Sequence, residues 1–126
     1  IAGLVNSSND NQNLIGFNAL NNTEIVHTIE ELTNKKNWSI ENDYTFGGYA
    51  KIDLQLVRFM NEFKEETGIL LDPVYTAKMM FGIVQDIQKG YFPENSRILA
   101  IHTGGLQGIS GMNQRLKKKN LPQIHV

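Results

Sequence analysis

The chain contains no cysteine, which excludes disulfides, thiolate catalysis and cysteine metal sites. It has no apolar run long enough to cross a membrane. Neither sign of charge dominates: 12 Lys and Arg against 13 Asp and Glu leave a formal net charge of -1. That balance gives no electrostatic case for nucleic acid or a membrane surface as partner. Histidine is scarce, and His27, His102 and His125 lack the spacing of metal ligands on one helix, so no metal site is expected. The only basic cluster, Lys117-Lys118-Lys119 beside Arg115, reads as a solvated helix end, because cations suit a helix C-terminus. An initial methionine and a signal peptide are also missing, and the start at Ile1-Ala2-Gly3-Leu4-Val5 reads as cut from something longer. A cytoplasmic setting is the expectation.

What is present fits one domain with one core: 126 residues, 40% of them hydrophobic. Asn6 to Asn13 is rich in Asn, Ser and Asp and reads as a loop, since those side chains compete for backbone hydrogen bonds. Leu14 to Leu20 is an apolar run of strand length, and Trp38-Ser39-Ile40 a second short strand. Between them a helix is predicted from about Asn22, with Ile25, Val26, Ile29 and Leu32 on one face. From Lys51 the period is helical, with Ile52, Leu56, Phe59, Met60 and Phe63 facing a core and Gly68 at the C-cap. Asp72-Pro73 predicts the next start, Asp as N-cap and Pro at the first helical position, on a helix carrying Val74, Met80, Phe81, Val84 and Ile87 and stopping at Gly90. A buried strand is expected over Arg97 to Ile101, then a glycine turn and a last helix bearing Ile109, Met112 and Leu116. Helix, loop and buried strand in succession predict α/β architecture: three layers, with a mostly parallel sheet covered by helices.

The functional signal sits where that strand would end, at His102-Thr103-Gly104-Gly105. A hydroxyl followed by bare backbone suits a bound small molecule. The same glycines, with Gly108, serve equally as a tight strand-to-helix turn. Tyr75 and Thr76 fit packing and capping as well as a site, and Tyr49 after Phe46-Gly47-Gly48 fits a loop aromatic. His102 reads as a satisfied histidine rather than a catalytic base, and Lys78 as a surface or salt-bridged lysine.

Together the segments Gly68 to Met80, Lys89-Gly90-Tyr91-Phe92 and Ile98 to Gly105 resemble the C-terminal part of the pyridoxal-phosphate-dependent family of 1-aminocyclopropane-1-carboxylate deaminases and D-cysteine desulfhydrases. The resemblance implies an incomplete part of a tryptophan-synthase-β-like, fold type II enzyme, residues 1–126 forming a single α/β unit at its C-terminal end. The Schiff-base lysine and the loop holding the phosphate of pyridoxal 5'-phosphate would lie upstream, and the 126 residues alone would be inactive. It further implies that Tyr49 and Tyr75 are the catalytic tyrosines, near the substrate carboxylate and reacting carbon. Thr103 and Gly104 would stand beside the cofactor ring and Thr76 near its pyridine nitrogen. The deaminases resembled carry a glutamate at the position of Thr76. A hydroxyl there cannot hold the nitrogen protonated as a carboxylate does, which tilts the reading toward a D-cysteine desulfhydrase-like β-elimination. The implied partners are a small amino-acid substrate and, since a cut α/β unit leaves apolar faces bare, further copies of the chain as a homo-oligomer. A free-standing α/β module that binds a phosphate-bearing ligand without chemistry is the alternative from another class, and a structural fragment without ligand is the third.

Overall fold

The computed structural model describes residues 1–126. Its elements run α1 (Ala2–Ser7), β1 (Leu14–Phe17), α2 (Ile25–Leu32), β2 (Trp38–Glu41), α3 (Leu54–Thr67), α4 (Thr76–Gln88) and α5 (Gly108–Lys118). The two strands pair in parallel, with Leu14 opposite Trp38 and Phe17 opposite Glu41. A parallel pair needs a crossover, and α2 with its flanking loops supplies it. The fold is α/β, with helices about a parallel sheet that is two strands wide. The polar loop begins later than its composition suggests, because Ser8 closes α1 by donating its hydroxyl to Val5 O at 2.7 Å. Asn37, just before β2, fixes this loop through its side-chain amide, which donates to Ser8 Oγ and Gln12 O, each at 2.9 Å.

The core gathers Leu56, Val57 and Met60 of α3, Ala77 and Phe81 of α4, Ile109, Met112 and Leu116 of α5, and, outside the helices, Leu71 ahead of α4 and Ile124. Asp53 starts α3 by accepting from Leu56 N at 2.9 Å, and Gly68 ends it at φ 74°, the left-handed conformation that glycine adopts without strain. Ile52, Phe59 and Phe63 pack on this core from its margin. On α2 only Ile29 is buried. Val26 and Leu32, expected on the same face, are 40% and 60% exposed, because a helix this short presents a single side chain to its neighbours.

Helix α4 is buried on two sides. Toward α3, Phe81 meets Phe46, Phe59 and Tyr44 edge-on, at centroid distances of 5.1, 5.3 and 6.0 Å. Toward the end of β1 and the loops that follow the two strands it presents Lys78, Gly82 and Asp86, four residues apart and all buried. This second face leaves Ile87 outside, 53% exposed, where the amphipathic pattern placed it in the core. Gly82 lets α4 approach closely: a Cβ there would lie 2.5 Å from the Phe17 ring and 2.6 Å from that of Tyr44. Gly82→Ala is therefore expected to destabilise by about 1–2 kcal/mol, overlap outweighing the gain in helix propensity. Gly111 in α5 has nothing within 4 Å of its Cβ position, so Gly111→Ala should stabilise by about 0.5–1 kcal/mol. Urea unfolding of both variants checks the pair, and equal signs would refute the packing described.

The buried strand expected at Arg97 to Ile101 does not form. A strand exists only by pairing, and no segment of these residues pairs with it. Ile98, Leu99 and Ile101 are 42%, 86% and 45% exposed. No helix is long and apolar enough to cross a membrane.

Candidate functional site

The start of α4 is organised by Asp72, only 2% exposed. Its carboxylate accepts from Val74 N at 2.8 Å, Tyr75 N at 3.0 Å and Thr76 N at 2.7 Å, while its own N–H donates to Thr76 Oγ1 at 2.9 Å. Pro73 has no N–H to offer, so every donor of this turn is satisfied. The capping expected of Asp72 is present, but the helix begins at Thr76 rather than Pro73, with residues 73–75 in a turn. That turn directs Tyr75 outward, 48% exposed, and leaves Thr76 2% exposed.

Lys78, in the first turn of α4, is 1% exposed, not the surface lysine its sequence suggests. Its ammonium donates to Gly48 O at 2.7 Å, Thr45 O at 2.8 Å and Ala19 O at 3.1 Å. Burial pushes its pKa below the usual lysine value, and the nearby Asp72 carboxylate opposes the shift. Three N–H donors meet three carbonyls, a full complement for the charged form. Two of those carbonyls belong to the turn that carries Tyr49. In that turn Phe46 and Ala50, neither a glycine, hold φ of 52° and 51°, while Gly47 and Gly48 stand at 92° and 117°. Tyr49 emerges 64% exposed with its ring 6.5 Å from that of Tyr75.

The glycine turn docks against the same corner. His102 Nδ1 accepts from Gly104 N at 3.0 Å, so Nε2 carries the proton and donates to Leu70 O at 2.8 Å. Both ring nitrogens are thus engaged with backbone, as the non-catalytic reading of His102 requires. Gly104 and Gly105 have φ of 87° and 88°. A Cβ on Gly105 would lie 3.1 Å from Asp72 Cβ and Cγ, whereas the Cβ position of Gly104 is open. Tyr49 is thus brought to Tyr75 by the proximity of their rings, and Thr76 to Gly105 through Asp72. Gly104 and the exposed Thr103 precede Gly105 by one and two residues.

Two residues that shape the site escaped sequence reasoning in that role: Asp72, seen only as a cap, and Lys78. The signal for Lys78 was a lone cation inside Thr76-Ala77-Lys78-Met79-Met80, where small and apolar neighbours leave no polar face for it. At the far end of α4, Tyr44 donates to Asp86 Oδ1 at 2.6 Å and accepts from Lys89 at 3.1 Å. Burial, reinforced by the Asp86 carboxylate, holds the Tyr44 phenol above its ordinary pKa. A surface depression of about 500 Å³ follows α5 and is lined by none of the five candidate residues.

No protein-family model matches the chain. A Rhizobium rhizogenes (strain K84) protein named 1-aminocyclopropane-1-carboxylate deaminase is 34% identical over 88 residues, 70% of this chain and 26% of that protein. One of the same name from Bradyrhizobium sp. (strain ORS 278) is 35% identical over 72 residues, 57% of this chain and 21% of the relative. A solved structure described as an ACC deaminase homologue matches with a TM-score of 0.67 and 26% identity, over 82% of this chain and 34% of that one. The chain is homologous to the 1-aminocyclopropane-1-carboxylate deaminases. It spans a fifth to about a quarter of the length of these deaminases.

The residues here fit one side of a flat pyridoxal ring. Gly104 leaves its Cβ side open, two phenols stand exposed together, and Thr76 holds a neutral hydroxyl that accepts one hydrogen bond from Asp72 N.

Proposed function

We propose that these residues form one wall of the active site of a pyridoxal-phosphate-dependent enzyme, as one α/β unit of it, and that it eliminates sulfide from D-cysteine. With one water consumed, the products are pyruvate, sulfide and ammonia. Similarity to the named deaminases supports the cofactor class, and the Thr76 hydroxyl carries the choice of reaction. When bound, pyridoxal phosphate supplies an electron sink for charge developing at the substrate's α-carbon. Thr76 would supply only a neutral hydroxyl near the pyridine nitrogen, which cannot stabilise a pyridinium as a carboxylate would. The weaker sink suffices for expulsion of a thiol, a good leaving group. Tyr49 and Tyr75, their rings 6.5 Å apart, would supply two phenols able to bind the substrate carboxylate or to hold a proton near the reacting carbon. Thr103 and Gly104 would border the ring, and the open Cβ position of Gly104 would leave room for it.

The relatives' names favour a second reading, ring opening of 1-aminocyclopropane-1-carboxylate to 2-oxobutanoate and ammonia with one water consumed. Product analysis of the enzyme that contains this chain separates the two. Pyruvate and sulfide from D-cysteine are expected at a rate at least tenfold above 2-oxobutanoate formation, and Thr76→Glu should lower the cysteine rate about tenfold. The reverse preference, or an unchanged rate in Thr76→Glu, rejects the desulfhydrase reading while leaving the cofactor class intact.

We also propose that the chain self-associates through the unpaired segment Ile98–Ile101, whose apolar side chains are bare. Sedimentation should give a dimer or larger species at micromolar concentration. A monomer throughout would dismiss the idea.

A further inference from the structure

We infer that Lys78 is a positioning residue whose ammonium, by binding the carbonyls of Ala19, Thr45 and Gly48, holds the turn at residues 46–50 so that Tyr49 stands against Tyr75. The inference begins with the cost of that turn. Non-glycine residues at positive φ cost on the order of 1 kcal/mol each and persist only where the surroundings impose them. Phe46 and Ala50 both adopt it, on either side of two glycines. Within the turn the backbone holds itself by Gly48 N to Thr45 O at 3.0 Å and Lys51 N to Gly48 O at 3.2 Å. Lys78 takes the second lone pair of those same two carbonyls, at 2.8 and 2.7 Å.

The third acceptor, Ala19 O, lies 59 residues from Lys78 in the chain and just beyond β1, so the ammonium joins the end of β1, the Tyr49 turn and α4. Tyr75 directly precedes α4, three residues before Lys78. One side chain therefore ties together the two backbones from which the paired phenols project. An apolar side chain could fill the volume but could not gather three carbonyl oxygens: Thr45 O and Gly48 O would keep only their bonds within the turn, and Ala19 O would lose this buried donor. The bearing of this geometry on substrate rests on the proposed reaction. The geometry itself does not.

The test uses Lys78→Met, similar in shape but without donors, and Lys78→Arg, which keeps charge and donors. In Lys78→Met, cross-relaxation between the Tyr49 and Tyr75 rings in NMR spectra should vanish while the signals of α3 and α5 keep their positions, and Lys78→Arg should restore part of it. Undiminished cross-relaxation between the two rings in a folded Lys78→Met would overturn the inference. If Lys78→Met does not fold, the unmutated chain decides. The Lys78 ammonium should exchange protons at least tenfold more slowly than the exposed Lys117–Lys119, and in sub-denaturing urea its protection should disappear together with the Tyr49–Tyr75 cross-relaxation. Separation of the two rings while the ammonium stays protected would also overturn it. Neither readout involves a cofactor, so failure here is distinguishable from failure of the proposed reaction.

Discussion

Phe81→Ala is expected to lower stability by about 4 kcal/mol, the range for truncating a large buried aromatic. Phe81 is 7% exposed and is the one ring that touches Phe46, Phe59 and Tyr44 together, each in an edge-on arrangement favourable to aromatic pairs. Its removal takes away apolar burial, three ring pairings and the support of α4 against α3. Tyr44 and Phe46 sit on one loop and Phe59 on α3, so the neighbouring rings cannot all move in to fill the space. A urea midpoint lower by about 2 M at unchanged slope is the expected result, for a slope near 2 kcal/mol per M. A shift under about 0.5 M would mean that the aromatic group is peripheral and the core lies elsewhere. Because Phe46 opens the strained Tyr49 turn, the same substitution should also broaden the Tyr49 signals.

Asp72→Ala is expected to cost about 3 kcal/mol, more than an ordinary N-cap, because three backbone donors lose a charged acceptor in a buried place. Asp72→Asn keeps one acceptor oxygen and should cost about half as much. The two substitutions also differ in reach. Gly105 packs directly on Asp72 Cβ and Cγ, so the alanine, which retains only Cβ, leaves a gap where the glycine turn rests. Amide signals of Thr103 to Gly105 should therefore shift along with those of Val74 to Thr76. A loss below about 1 kcal/mol, the ordinary worth of a cap, or shifts confined to residues 73–76, would show that Asp72 acts only locally.

The elements with local causes were legible in the sequence. The α3 face, the Gly68 stop, the capping by Asp72 and the buried trio Ile109, Met112 and Leu116 each follow from periodicity or from the chemistry of one turn. The stripe Lys78, Gly82 and Asp86 was not, because its partners are distant. Lys78 is satisfied by carbonyls 30 to 59 residues away, and Asp86 by a phenol 42 residues away. Burial of such groups depends on where loops pass, which no helical period encodes. The segment Arg97–Ile101 erred in the opposite direction: its composition favours a strand, yet pairing requires a neighbour that these residues do not provide. In the candidate site, Tyr49, Tyr75, Thr76, Thr103 and Gly104 are proposals that rest on family resemblance. The supports beneath them, Asp72 with Gly105 and Lys78 with the turn at residues 46–50, came from the structure alone.

The central proposal is that Tyr49, Tyr75, Thr76, Thr103 and Gly104 line a site for a pyridoxal ring. Titration of the isotope-labelled chain with pyridoxine phosphate, which lacks the aldehyde and so cannot react with surface lysines, tests it most directly. The account predicts saturable amide shifts confined to residues 48–50, 74–77 and 102–105, with affinity reduced at least tenfold when Gly104 is changed to valine. Shifts centred on the α5 groove, or no shift at any accessible concentration, would contradict it.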